Sequence, residues 1–470
     1  MPIRLSLMFL ALTLVVTGCA SPVRCDEDRE EPYMDPLTGE PLDMEGLAPR
    51  ESRSERFRIP SEERADRSRA NPCLAQAPRI IPPPTPVDRE MEEGTAFADL
   101  RYRLEIVEDD DFRERAEAST IRLRLGGTTP RVRGFDAGVA FQTTQLIGEP
   151  RFEDTTGRIG DFPVVRDPLD TGVSEGWARY ISREGVFEAK IGRQSINLDN
   201  ERFVGSDSFR QLEQTFNAST MRIGQGEPVR FDAAFISRAN RVLGPNHPDR
   251  FAAKADTEAT ILEYNQVFGD RTMGLYFHNM RFTDERESHR NLGLRFHGRL
   301  PWSETLDFRA EYAHQEALRG EGPERDQSYT HFRLSQNRED WRWFVGREHL
   351  SGDRQDAFQT PLASLHTHNG WSDRFLVTPD FGLIDNYIGV ETQRGEWDFE
   401  ARYHDFKLDA GSSRYGQEFG LRAGREVFGE LRLDLKLSHY DGGDPEFYFG
   451  DDYAGNSTRI WIGLSARFEP

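Results

Sequence analysis

The sequence predicts an all-β fold, a transmembrane antiparallel β-barrel of about eighteen strands over residues 96–470, with long extracellular loops and short periplasmic turns. Three observations carry this expectation. From Ala96 onward the chain breaks into short segments of alternating polarity, and the connections between them alternate between long and very short. Arg183 to Gly185, Gly224 to Pro228, Pro301 to Glu304, Asn337 to Asp340, Arg394-Gly395 and Val427 to Gly429 read as tight turns. Gly148 to Val173, Gln194 to Phe216, Arg238 to Ala255, Leu350 to Gly382 and Gly442 to Ser457 are long and polar. A soluble sandwich has no reason to sort its loops by parity. A barrel in a bilayer must, because every second connection lies on the same side.

The second observation is the alternation itself. In 291–300, Leu292, Leu294, Phe296 and Leu300 share one face while Arg295, His297 and Arg299 share the other; in 430–440, Leu431, Leu433, Leu435 and Leu437 oppose Arg432, Asp434 and Lys436. Ile121, Leu123 and Leu125 oppose Arg122 and Arg124, and Ile460, Ile462 and Leu464 oppose Arg459 and Arg467. In a barrel the apolar face must point to lipid, since an arginine at mid-bilayer costs roughly 2–4 kcal/mol, so the charged face becomes the lumen. Third, no apolar run approaches the ~20 residues of a spanning helix. Only 36% of residues are hydrophobic and 30% are charged, which suits a wall in which every second residue meets lipid.

Along the chain, residues 1–18 read as a lipoprotein-type signal peptide. Arg4 precedes the apolar run Leu5 to Val16, which ends in Val16-Thr17-Gly18-Cys19, and a small residue before a cysteine at that place marks Cys19 for lipidation. Residues 19–95 carry Glu/Asp/Arg clusters and the run Ile81-Pro82-Pro83-Pro84-Thr85-Pro86 without either period, as expected of a periplasmic tether with a stiff end or of a small docked domain. Cys25 and Cys73 remain as an even pair for an oxidising compartment. In the barrel, Trp177, Tyr180, Tyr276, Trp302, Tyr329, Trp341, Trp343, Tyr387, Trp397, Tyr403, Trp461 and Phe468 fall near segment ends, where interfacial girdles are expected.

Four lysines, Lys190, Lys254, Lys407 and Lys436, stand against fifty-six arginines, and arginine is the side chain that grips carboxylates with two bonds. Arg101, Arg103, Arg122, Arg124, Arg193, Arg295, Arg299, Arg309, Arg333, Arg402, Arg422, Arg432, Arg459 and Arg467 all map to the lumen face, with Glu105, Glu188, Glu311, Glu400 and Asp434 beside them for internal pairing. A surplus of arginine there predicts an electropositive, anion-preferring channel in a chain of net charge -21, with the acidity placed in loops and tether. His366-Thr367-His368 with nearby Asp373 has a metal-like spacing; no metal or other cofactor is expected from so short a signal. No nucleophile elbow, phosphate loop or paired-carboxylate signature stands out, so the sequence reads as a non-enzyme.

One long segment is more specific. Gly192-Arg193-Gln194-Ser195-Ile196-Asn197-Leu198-Asp199-Asn200-Glu201-Arg202-Phe203-Val204-Gly205, with Phe209-Arg210-Gln211 and Gln214-Thr215-Phe216 after it, resembles the central motif of the alginate-export family of outer-membrane channels. Asn240-Arg241-Val242-Leu243-Gly244-Pro245, Phe358 to His366 and Asn369 to Leu376 resemble two further segments of that family. The resemblance implies an 18-stranded barrel in the bacterial outer membrane passing a polyuronate such as alginate or its oligomers. It selects Arg193, Asp199, Asn200, Arg202 and Arg210, together with Arg241, Asp373 and Arg374, as substrate-contacting residues; Arg122, Arg124, Arg295 and Arg309 join them as pore lining. The same motif reads equally well as a network that packs a loop into the pore. The alternative functions are a porin for small acidic solutes and a barrel enzyme. The partners implied are an anionic saccharide, outer-membrane lipid and lipopolysaccharide, and a periplasmic partner through residues 20–95, with no nucleic acid.

Overall fold

In a computed structural model of the chain, the structure describes residues 91–156, 162–283, 288–318, 326–443 and 453–469. The signal peptide, Cys19, Cys25, Cys73 and nearly all of the tether lie outside the described residues. Eighteen long strands follow one another. They are β1 (Thr95–Asp109), β2 (Ala116–Thr128), β3 (Phe135–Leu146), β4 (Asp170–Ile181), β5 (Phe187–Gln194), β6 (Thr215–Ile223), β7 (Val229–Asn240), β8 (Lys254–Phe268) and β9 (Arg271–Met280). The second half contributes β10 (His289–Arg299), β11 (Leu306–Ala317), β12 (Asp326–Arg338), β13 (Trp341–Leu350), β14 (Leu383–Arg394), β15 (Trp397–Lys407), β16 (Arg414–Val427), β17 (Leu431–Gly442) and β18 (Ser457–Phe468). Each pairs antiparallel with its neighbour, and β1 pairs with β18 from Ala98↔Phe468 to Asp109↔Ser457, so the sheet closes with no free edge. A two-residue ladder, Met91–Glu92 with Arg131–Val132, is added beside the turn after β2.

Loop parity holds for the longest connections, while those after β1 (110–115) and β15 (408–413) are as short as the longest turns. The turns after even strands run from the pairs Gly269-Asp270 and Gly395-Glu396 up to Thr129–Gly134 and Leu300–Thr305, whereas the connections after β3, β5 and β13 span 147–169, 195–214 and 351–382. The wall is inside-out relative to a soluble protein. Leu292 is 62% exposed and Leu294 46%, while Asn291 and Arg295 on either side of them are buried. With an apolar exterior around a closed ladder, every backbone group of the wall is satisfied internally, which is what crossing a bilayer requires. No helix among the described residues is long and apolar enough to cross a membrane.

The aromatic girdle is only partly as expected. Trp341 and Trp343 stack at 6.0 Å, and Trp397 and Phe399 do the same, along the outer face at the turn end; Trp302 and Phe468 are exposed there as well. Tyr276, Tyr329 and Trp461 instead point inward and are buried. Trp177 and Tyr387 also point inward, the first toward Lys190 and the second toward His331. Glycines make room for them: a Cβ on Gly293 would fall 2.1 Å from the Tyr276 ring and one on Gly346 2.2 Å from Tyr387.

The apolar core therefore lies inside the barrel. The connections after β5 and β13 fold back into it, placing Ile196, Phe203, Val204, Phe358, Leu362 and Phe375 against the inward rings of Tyr276, Tyr329, Phe406 and Tyr440. A parallel bridge joins Val204 to Leu362, with Gly205 N donating to Leu362 O at 3.0 Å and Ser364 N to Glu201 O at 3.0 Å.

Candidate functional site

The long motif forms the inserted loop after β5, and its polar residues face partners that the chain brings from far away. Arg210 is wholly buried. It donates to Glu105 of β1 at 2.5 Å and to Asp373 of the loop after β13 at 2.6 Å. Asp373 also faces Arg166 at 3.4 Å and Arg459 of β18 at 3.7 Å, and its Oδ1 lies 2.8 Å from His366 Nδ1. Four segments thus converge on one carboxylate. Arg202 forms an ion pair with Glu348 of β13 at 2.8 Å and donates to Thr360 at 3.2 Å and Asn369 at 3.0 Å. Asn200 accepts from the Arg202 backbone N–H at 3.3 Å, closing a short turn.

Asp199, at φ 51°, reaches across the lumen to Arg309 of β11 and lies 3.6 Å from Arg295 of β10. Burial alone would raise its pKa, yet the two guanidinium groups hold it below the usual carboxylate range. Arg309 is shared with Glu311 and Arg295 with Glu263, so both cations are braced from the wall as well. Asp207, at the far end of the loop and fully buried, is pushed well up by desolvation.

The returning limb of the loop lies on the wall of β1 and β2. Arg122 binds Asp99 at 2.5 Å and Glu213 at 3.2 Å, while Arg124 binds Glu213 at 3.1 Å and Glu175 at 3.1 Å. Arg101 donates to the backbone carbonyls of Ser208 at 2.7 Å and Phe209 at 3.1 Å, and Arg103 sits 3.9 Å over the Phe209 ring. Arg101 and Arg122 are direct cross-strand partners, which places two like charges side by side on the lumen face.

The other residues selected from the sequence divide clearly. Arg241 donates to the Pro361 carbonyl at 2.8 Å and lies over Phe251, tying two loops together. Arg374 binds Asp109 at 3.1 Å and Asp111 at 3.2 Å and caps the connection after β1. His366 and His368 do not share a site. His366 stacks on Phe209 at 4.0 Å with Lys436 Nζ 2.6 Å from its Nε2, whereas His368 lies under the influence of Arg202 and Glu348. Burial, reinforced by Lys436 for the first and Arg202 for the second, holds both imidazoles down to about 3. Among the described residues no group of three metal-type side chains is placed to hold an ion.

Arg193 must be corrected. It shares the outer face of β5 with Ile191, which is 61% exposed, while Gln194 next to it turns inward to the Ala218 carbonyl at 3.0 Å. Arg193 is therefore not pore lining; it bonds Thr215 at 2.8 Å on the outside of the wall, close to the loop end where the cost of an outward charge falls to about 0–1 kcal/mol. Residues not singled out from the sequence prove central, namely Glu213, Glu348 and Asp167, and Phe209 of the motif stacks on His366. Glu213 stands within the motif segment; nothing local to Glu348 marks it as the mate of an arginine 146 positions earlier.

The motif is thus first a packing network, and the arginines of β1 and β2 hold it against the wall. No family model and no curated protein matches this chain, so the resemblance to the alginate-export family gains no support from either. Solved structures do match. OpdK of Pseudomonas aeruginosa, determined with vanillate, is 15% identical with a TM-score of 0.58, covering 80% of this chain and 99% of its own. OpdQ of the same organism gives 13% and 0.60 with coverage of 80% and 99%, and OccAB2 of Acinetobacter baumannii 16% and 0.60 with 80% and 98%. At that identity the likeness establishes the architecture: this chain folds as a closed eighteen-stranded β-barrel of the kind found in the Occ and Opd porins.

Proposed function

We propose that this chain is an outer-membrane channel, not an enzyme, and that it passes small anionic solutes. The observation that carries this reading is Arg101 on the lumen face of β1, beside Arg122 of β2: Arg122 is paired to Asp99 and Glu213, Arg124 to Glu213 and Glu175, Arg103 to Asp167 and Arg467 to Glu469, which among the described residues leaves Arg101 as the arginine of this wall without an ion pair. Arg101 spends its guanidinium on main-chain carbonyls and has no carboxylate within ion-pairing distance among the described residues. A cation on the wall of a narrow, partly desolvated passage raises the local concentration of anions whatever the net charge of the chain.

Two inserted loops take up much of the lumen, which favours a small acid over a thick polymer. One similar structure was determined with vanillate, a solute of that class. Passage of a uronate or short oligouronate is the finer reading, resting on the Gly192 to Gly205 resemblance. The turns and the N-terminal segment belong to the periplasm in this scheme, with Cys19 lipid-modified at the inner leaflet of the outer membrane.

The test is reversal-potential measurement of the purified chain in planar bilayers under a salt gradient, followed by bi-ionic measurements with glucuronate, an aromatic monocarboxylate and a hexauronate. Anion preference with permeation of the two monomers is expected. A cation-selective channel would refute the proposal, and passage of the hexamer as readily as the monomers would shift it to the polyuronate reading.

A further inference from the structure

The outside of the wall carries a second feature at the loop end of β5 to β7. A cleft of about 700 Å³ opens there, lined by Val173, Ile191 and Phe235 on one side and by Arg193, Arg238 and Lys254 on the other. The apolar members face out, with Ile191 61% and Phe235 51% exposed, so they belong to the lipid-contacting surface. The cations sit above them toward the long loops. Arg193 and Asn217 are cross-strand partners, as are Lys254 and Asn240, and Asn240 donates to Asn217 at 3.1 Å, which fixes the polar rim. Arg238 is held by Asp256 at 2.5 Å. Among the described residues neither Arg193 nor Lys254 has a carboxylate within ion-pairing distance; Asp170 is the acid that lines the cleft with them.

We infer that this cleft binds the phosphate-bearing head of a glycolipid of the lipid A type, with an acyl chain lying along Ile191 and Phe235. The charge pattern selects the occupant. Two cations without an ion pair at the level where an apolar wall gives way to polar loops match an anionic head carried on hydrocarbon, and an arginine is the side chain suited to gripping a phosphate with two donors. A zwitterionic head would bring a cation against Arg193 and Lys254. The inference rests on the outer-membrane reading, because the long connections then face the leaflet in which such a glycolipid resides.

The experiment uses the full chain, folded and in mild detergent, with binding of a lipid A carrying two phosphates followed by native mass spectrometry beside phosphatidylethanolamine and inorganic phosphate. Retention of lipid A in preference to phosphatidylethanolamine is expected, together with at least a tenfold loss of affinity in Arg193→Gln/Lys254→Gln. Anion selectivity of the same variant should be unchanged, since both residues are outside the lumen, so a failure of the channel reading would show separately. Lys254→Gln alone, at an exposed position, keeps the test open if the double variant does not fold. Equal lipid binding by variant and unaltered protein overturns the inference, as does competition by inorganic phosphate at the same concentration as the lipid.

Discussion

The guanidinium of Arg210 and the carboxylate of Glu105 meet at 2.5 Å with both side chains wholly removed from water, and this pair ties the inserted loop after β5 to the first strand of the wall. Taking two charges out of water is costly, so the pair holds only because Asp373 and Arg459 complete it. Arg210→Met should therefore strand Glu105 and Asp373 and cost roughly 3–5 kcal/mol, while Arg210→Met/Glu105→Met should recover a large part of that. Denaturant unfolding in detergent measures both. A single variant within about 1 kcal/mol of the unaltered protein would mean that the loop is held mainly by the apolar cluster around Val204 and Leu362.

A pH dependence follows from the buried imidazoles. His366 and His368 are held neutral down to about 3, whereas in the unfolded chain they take up protons near pH 6.5. Between those values the unfolded state binds more protons, so stability falls as pH drops through that window. Asp207 and Asp111 act in the opposite sense, since their raised pKa values let the folded state bind a proton first, whereas Asp373, held low against its burial by His366 and Arg210, acts in the same sense as the imidazoles. Thermal unfolding followed at pH 7, 5.5 and 4 should show a declining midpoint, and His366→Gln should flatten the decline. An unchanged midpoint across that range would contradict the role of the two imidazoles.

The barrel is legible in the sequence because its signals are local and repeated: period-2 polarity and loop parity recur strand after strand, and each is read within a dozen residues. The fate of the loop motif is not. Whether Arg202 or Arg210 meets a solute or a carboxylate depends on Glu348, Glu105 and Asp373, which closure of the barrel and insertion of two loops bring in from distances no local window spans. Arg193 escapes a period-2 reading for a narrower reason. It follows Gly192, which has φ 124°, at the end of a strand, where an outward polar residue belongs to the rim above the lipid. Tyr276 and Tyr329 sit on the inward face of their strands, where the inserted Phe203 and Phe358 pack against them, so aromatic type alone does not mark a girdle residue.

Selectivity separates the two faces of the wall. Arg101→Gln removes a lumen cation that has no carboxylate within ion-pairing distance among the described residues, and the anion-to-cation permeability ratio should fall by roughly threefold, the size expected of one unit charge acting through several ångströms of mostly aqueous surroundings. The effect should shrink at 1 M salt, where screening acts over about 3 Å. Arg193→Gln should leave the ratio unaltered. If Arg193→Gln moves the ratio and Arg101→Gln does not, then Arg193 faces the lumen and Arg101 does not.

Orientation in the membrane can be read with two single cysteines. Phe428, in the short turn between β16 and β17, is 96% exposed, and Asp353 lies near the start of the long connection after β13. The connections after even strands all lie on one side, and the barrel begins at Thr95 and ends at Phe468 on that same side, because an even number of strands returns the chain to where it started. With the long loops outside, Asp353→Cys should react with a membrane-impermeant maleimide on intact cells and Phe428→Cys only after the outer membrane is opened. Reaction of Phe428→Cys alone on intact cells would reverse the topology, and with it the side of the bilayer on which the Arg193 cleft meets its lipid.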